Sequence, residues 1–309
     1  MRERNKRRRR SCNLVTIAVF AASTFGAAYI SDTAQNSVAG AATNSAANPF
    51  RIGRTLVIPH SGGDGLFPEN TLYAYERSSA MGGDVVDIDV SLSSDGVLVA
   101  FHDSLLRRTT GAPGRVSTTS FAELSKLDAG WGFTRSGTYP FRGRSLTVPS
   151  VEAILRRFPT TLVTLDLKDQ RTLVAKPVCE LLLRLGRTGD VYVGSDSSEQ
   201  VLAIRRTCPS VRTSGTDTER RAARAARESG DLTFRSKQLV SQPRFKADDG
   251  TRRVTPETLA FSHRMGTAVL TWIVDDPKDM AELIDLGVDG IYTRRPDLLV
   301  EVLRNRRAR

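Results

Sequence analysis

The chain reads as a TIM barrel, and three observations carry that expectation. Short runs rich in Val, Ile and Leu alternate with amphipathic helical stretches from Arg54 onward. The runs are almost continuously apolar, as parallel strands are when helices cover them. About eight such units fill roughly 250 residues, which suits a closed eight-stranded barrel better than an open doubly wound sheet. No G-x-G-x-x-G follows a strand and opens a helix, so a dinucleotide-binding fold has no support.

Strands are predicted at TLVIP (55–59), DVVDIDV (84–90), VLVAF (97–101), TLVTLDL (161–167), VYVG (191–194), VRTS (211–214), TAVLTWIV (267–274) and DGIY (289–292). Helices are predicted at 70–82, 151–158, 171–186, 198–207, 218–228, 256–266, 277–287 and 295–306; apolar residues in VCELLLRL and AELIDLG recur at helical spacing. Asp95-Gly96, between two strands, is a hairpin signal with no catalytic meaning. The stretch 104–150 is rich in Gly, Pro, Thr and Arg, breaks the rhythm, and reads as an insertion over the barrel mouth. The barrel is thus expected over 54–309.

The ends of the chain have a different character. MRERNKRRRR holds seven basic residues and one acid, and is followed by 17 uncharged residues, LVTIAVFAASTFGAAYI. As a helix that run would span about 26 Å, borderline for a membrane. Residues 1–30 therefore read as a cleaved export signal, with Ala39-Gly40-Ala41 as a cleavage region, or as an uncleaved anchor that allows membrane association. Either reading places 55–309 outside the cytoplasm, because cytoplasmic flanks are Lys/Arg-rich. Residues 31–53, small and polar, read as a flexible linker. The formal charge of +11 is carried by the ends: +6 in residues 1–10 and +4 in RNRRAR leave about +1 between them. That is no footprint for nucleic acid.

Chemistry is concentrated at the predicted strand ends. Of three histidines in the chain, His60 follows TLVIP and His102 follows VLVAF. Asp87 and Asp89 are two apart in one strand, so their side chains share a face. Two such carboxylates placed side by side indoors cost several kcal/mol unless a cation compensates. Asp166, closing TLVTLDL, would complete an oxygen-rich site for a hard divalent cation, Mg²⁺ or Ca²⁺. Zinc is disfavoured by the absence of a Cys/His cluster with ligand spacing. A cation to neutralise phosphoryl oxygens, two histidines to remove and supply protons, and Lys168 to add charge form a sufficient set for phosphodiester hydrolysis. His263, within PETLAFSHRMG, reads as a surface or packing residue. Phe101 and Trp272 read as barrel packing, with an aromatic at the mouth also able to contact a substrate alcohol.

HSGGDGLFPENT at 60–71 and DVVDIDVSLSSDGVLVAFHDSLLRRTTGAPGRV at 84–116 closely resemble the glycerophosphodiester phosphodiesterase family, as do LDLK at 165–168, YPFRG at 139–143 and LTWIVDDPKDMAELIDLGVDGIYTRRPDLL at 270–299. The resemblance covers about 55–305. It implies a TIM barrel with an inserted subdomain, a divalent metal, and hydrolysis of glycerol-3-phosphate esters of small alcohols, in an exported or membrane-attached member. By matched position His60 and His102 take the acid/base roles, Asp87, Asp89 and Asp166 the metal roles, and Lys168 the phosphate side. Glu69 is the motif glutamate, with Asn70 beside it and Trp272 in the C-terminal motif. Ser61 stands on the phosphate side where an arginine is usual and offers one weak donor instead of a bidentate grip. Asp87 and Asp166 stand where glutamate is usual, each a methylene shorter. The substrate is expected to be a small glycerophosphodiester, or a lysophospholipid if the mouth is open and apolar. The rival from another class is a barrel with a weakened site that serves as an envelope binding protein.

Two cysteines lie in the barrel. Cys179 and Cys208 are predicted on consecutive outer helices, so a bridge is sterically open, but buried free thiols are the preferred reading of the residues alone.

Overall fold

A computed structural model describes residues 48–307 apart from 170. The predicted export segment therefore lies outside the described residues, among which no helix is long and apolar enough to cross a membrane. The strands are β1 (Leu56–Pro59), β2 (Val85–Leu92), β3 (Leu98–Ala100), β4 (Leu162–Leu167), β5 (Val191–Gly194), β6 (Arg212–Thr213), β7 (Val240–Ser241), β8 (Ala268–Thr271) and β9 (Gly290–Thr293). The helices are α1 (Leu72–Met81), α2 (Arg107–Thr110), α3 (Phe121–Leu124), α4 (Val151–Arg157), α5 (Ala175–Arg184), α6 (Ser198–Thr207), α7 (Asp217–Glu228), α8 (Pro256–Arg264), α9 (Pro277–Leu286) and α10 (Pro296–Arg307).

All strands except β3 run parallel to their neighbours, in two hydrogen-bonded arcs: β2-β4-β5-β6 and β1-β9-β8-β7. At one seam Asp84 accepts from the Val57 amide and donates its own amide to the Val57 carbonyl, both at 2.8 Å, which ties β1 to the start of β2. At the other, Gln238 packs so closely on Gly215 that a Cβ there would stand 2.3 Å from it. The TIM barrel is as expected, but its strand inventory needs correcting. VLVAF is not one of the parallel staves: β3 folds back antiparallel on β2 through the turn at Asp95-Gly96, where Gly96 takes φ 81°. The place it vacates belongs to β7, two residues long and too short to leave a periodic signal.

Helix ends follow ordinary rules. Thr71 caps α1, whose C-terminus is closed by Gly82 at φ 112°, and Asp276 caps α9 ahead of Pro277. Phe50, Ile58, Tyr192, Leu270 and Tyr292 belong to the cluster lining the barrel. A larger cluster fills the space between β2-β4-β5 and helices α4 to α6. The insertion has its own core of Phe101, Leu106, Val116, Leu124 and Val148.

Two further expectations change. Composition predicts a linker over 31–53, yet from Asn48 the chain is docked on the barrel. Asn48 donates to the carbonyls of Leu239 (2.6 Å) and Gly266 (3.0 Å), Phe50 is 1% exposed with its ring edge-on to Tyr192, and Arg51 pairs with Asp289. A single aromatic among small polar residues was the available signal. Cys179 and Cys208 are bridged, their Cα atoms 5.4 Å apart, instead of being free buried thiols. Side-by-side packing of α5 and α6 brings them within disulfide reach. His263 is structural, as expected: its Nε2 lies 2.8 Å from Asp289 Oδ2, at the barrel end opposite the strand C-termini.

Candidate active site

The predicted residues gather at the C-terminal end of the barrel. β1 ends at Pro59, and the chain turns through a short 3₁₀ segment, His60–Gly62. Ser61 and Asn70 both adopt left-handed backbone, φ 47° and 56°, a strain that the bonds of their side chains offset. Ser61 is 2% exposed; its amide donates to Asp87 Oδ2 at 3.0 Å and its hydroxyl to Asp89 Oδ2 at 2.7 Å. This corrects the phosphate-side role given to Ser61, since its side chain is turned into the carboxylate floor. Asn70 donates to Asp89 Oδ2 at 2.7 Å, and its carbonyl accepts from the Asp89 amide and from Tyr75 Oη. The Asn of the PENT motif is thus a brace for β2.

Asp87 and Asp89 share one face of β2, and Asp89 sits in register with Asp166 on β4. Thr164, the register neighbour of Asp87, donates to its Oδ1 at 2.6 Å. Lys168 Nζ lies 2.6 Å from Asp166 Oδ2 and 3.4 Å from Asp89 Oδ1. Burial raises the Asp87 carboxyl above its ordinary range, and the charge of Asp89 adds to that even against the pull of His60. Burial opposes ionisation of Asp89 too, but Lys168, His102, Asn70 and Ser61 outweigh it and hold Asp89 low. Burial also works against the Lys168 ammonium, yet Asp166 and Asp89 keep it firmly charged.

Each histidine has a carboxylate at Nδ1. His60 Nδ1 lies 3.2 Å from Asp64 Oδ1, and His102 Nδ1 lies 2.8 Å from Asp103 Oδ1. Such a partner fixes the ring and leaves Nε2 for other work. Burial alone would lower His60, but Asp64, Asp87 and Asp89 together raise it to about 9. Arg108 joins the two sides of the mouth: it grips Glu69 with two bonds (2.6 and 2.7 Å) and Asp103 with two more (2.6 and 3.0 Å). Glu69, Asn70, Phe101, His102, Thr109 and Ala129 line one cleft here, and an adjoining one reaches Asp64, Arg108 and Phe133. The insertion therefore walls the site. Sequence reading gave no role to Asp64, Asp103 or Thr164; the i,i+4 spacing of His60 and Asp64 and the adjacency of Asp103 to His102 were the legible signals. Trp272 sits on the rim, 36% exposed, its indole N–H donating to the Gln242 carbonyl at 2.6 Å.

Residues 60–298 match the sequence profile of the glycerophosphoryl diester phosphodiesterase family. The chain belongs to that family. Its members are phosphoric diester hydrolases. A glycerophosphodiester phosphodiesterase of Bacillus subtilis (strain 168) is 26% identical over 281 residues, spanning 86% of this chain and 91% of that protein. Among solved structures, the glycerophosphodiester phosphodiesterase of Agrobacterium tumefaciens str. C58 superposes with a TM-score of 0.66 at 27% identity, covering 81% of this chain and 99% of the other. A phosphodiesterase of Oleispira antarctica, solved with the product sn-glycerol-3-phosphate, has the same fold (TM-score 0.63, 21% identity, 81% and 97% covered).

The family generally uses a divalent metal. The donor chemistry here fits a hard cation: Asp87, Asp89 and Asp166 offer only carboxylate oxygens, on neighbouring strands, and a positive charge already sits between two of them as the Lys168 ammonium. Among the described residues no three His, Cys, Asp or Glu side chains converge on one point at ligating separations.

Proposed function

We propose that this protein hydrolyses glycerophosphodiesters to glycerol 3-phosphate and an alcohol, with His60 and His102 as its acid/base pair. The observation that carries the reading is the arrangement at the mouth: two imidazoles, each held at Nδ1 by its own carboxylate, beside the floor of Asp87, Asp89 and Asp166. One imidazole takes a proton from the attacking water as its oxygen bonds to phosphorus. The other gives a proton to the alkoxide as the second P–O bond breaks. Lys168 opposes the charge that builds on the phosphoryl oxygens. Asp87, Asp89 and Asp166 would hold a Mg²⁺ or Ca²⁺ ion, which when bound neutralises phosphoryl charge. Asp64 and Asp103 fix the rings, and Arg108 secures Asp103 to Glu69.

We place the enzyme outside the cytoplasm. The disulfide between Cys179 and Cys208 supports this, because thiols stay reduced in the cytosol, and so does the basic-then-apolar sequence of residues 1–30. The test is turnover of glycerophosphocholine and of lysophosphatidylcholine, with and without EDTA. Metal-dependent release of glycerol 3-phosphate from the first is expected. No turnover of either substrate in the presence of Mg²⁺ or Ca²⁺ would sink the reading in favour of a binding protein.

A further inference from the structure

The insertion carries a charge and a surface that hydrolysis does not use. Residues 104–150 hold seven basic residues against two acids, whereas elsewhere in 48–303 acidic residues outnumber basic ones. Both acids are occupied locally: Glu123 accepts from Ser120, and Asp128 from the amides of Gly130 and Gly143. Arg107, Arg115, Arg135 and Arg144 are exposed and outside any ion pair among the described residues. The positive charge thus faces solvent.

Exposed apolar and aromatic side chains come from the same insertion. Leu105, Trp131 and Tyr139 project from the insertion with 50%, 37% and 49% of their surface exposed. Arg142 is stacked between Trp131 (4.2 Å to the ring centre) and Tyr139 (3.8 Å), so two aromatic rings and a cation form one exposed slab. From other loops at the C-terminal end of the barrel, Leu173 follows β4, and Trp272 and Ile273 follow β8, all exposed. Large apolar groups scattered singly need no explanation, but several from one arginine-rich insertion and the neighbouring strand-end loops do. Aromatic rings at an interface with basic residues around them are what a headgroup layer recognises: the rings sit at headgroup depth and the cations meet anionic lipid.

We propose that the mouth face of the barrel docks onto an anionic lipid surface, with the insertion as its main contact. The inference is independent of which diester is cleaved. Docking there would set the site opening against the surface that holds amphiphilic diesters.

The chain has two tryptophans, Trp131 and Trp272, and both lie on this face. Residues 1–47 contain none, so insertion of the N-terminal segment into a bilayer leaves tryptophan emission silent. The full chain carrying Trp272→Phe is mixed with phosphatidylglycerol/phosphatidylcholine vesicles, and Trp131 emission and acrylamide quenching are followed. A blue shift with protection from quenching is expected, reversed by high salt. Neutralising Arg135 and Arg144 (Arg135→Gln, Arg144→Gln) should raise the vesicle concentration at half-response by roughly 25-fold, at about fivefold per basic residue. Turnover of soluble glycerophosphocholine should stay unchanged in that double variant, which shows that it is folded. An unresponsive Trp131, an equal response to pure phosphatidylcholine, or the same response to single-stranded nucleic acid would overturn the proposal.

Discussion

At the N-terminal end of the barrel, Arg187 is only 5% exposed and yet fully served: it donates to the carbonyls of Leu155, Phe158 and Thr161 and pairs with Asp190. At the C-terminal end, Asp87 and Asp89 are as deeply buried and stand beside each other with like charge. One end satisfies its buried charge with its own backbone, as a structural clamp does. The other keeps an excess of carboxylate that is useful only when a substrate or cation arrives. The same fold thus holds a stability end and a chemistry end, and substitutions should separate them.

The widest separation is expected at the histidines. His60→Ala or His102→Ala should each lower turnover by roughly 10²–10⁴-fold, with the thermal midpoint nearly unmoved; near-wild-type turnover in either would remove that residue from the mechanism. Arg187→Met should do the reverse and cost about 3–5 kcal/mol of stability by leaving the carbonyls of Leu155, Phe158 and Thr161, and Asp190, without their donor. Urea unfolding reads that loss, and kcat below the transition should be unchanged. Replacing Cys179 and Cys208 together by serine should cost about 2–4 kcal/mol, since the bridge closes a loop over a separation of 29 residues. Equal urea midpoints for the oxidised protein and this variant would mean that the bridge contributes nothing. The smallest effect belongs to the carboxylate floor: Mg²⁺ or Ca²⁺ at a hundredfold excess over Kd should stabilise the fold by about 2.7 kcal/mol. Asp89→Asn should abolish most of that shift, and a midpoint indifferent to both ions would argue against a metal at the floor.

How much of this was legible from residues depended on length and on neighbours. The long apolar runs of β2 and β4 and the capped helices announced a barrel, and the strand-end positions of His60, His102, Asp87, Asp89 and Asp166 announced the site. β7 escaped because two residues give no period, and VLVAF was counted as a stave because an apolar run does not state its direction. Ser61 was read by what it lacks, an arginine side chain; its actual bonds to Asp87 and Asp89 depend on a left-handed backbone that sequence does not reveal. The disulfide depended on the distance between two helices, which spacing in the chain cannot supply.

The hairpin that carries His102 has a consequence for how the site could diverge. His60, Asp89 and Asp166 are delivered by strands running outward, but His102 arrives on β3, returning from beyond the barrel rim. Its level is fixed by the pairing of Val90 with Ala100 and by the Phe101 amide, which donates to the Asp89 carbonyl. The hairpin is therefore a ruler, with the Ser93–Val97 turn as its zero mark. One residue added to or removed from that turn would shift the register and send alternate side chains to the opposite face. His102 would then leave the site although every residue of its motif was still present. Turn length, as much as the motif itself, is what a relative must keep in order to keep the second histidine in place.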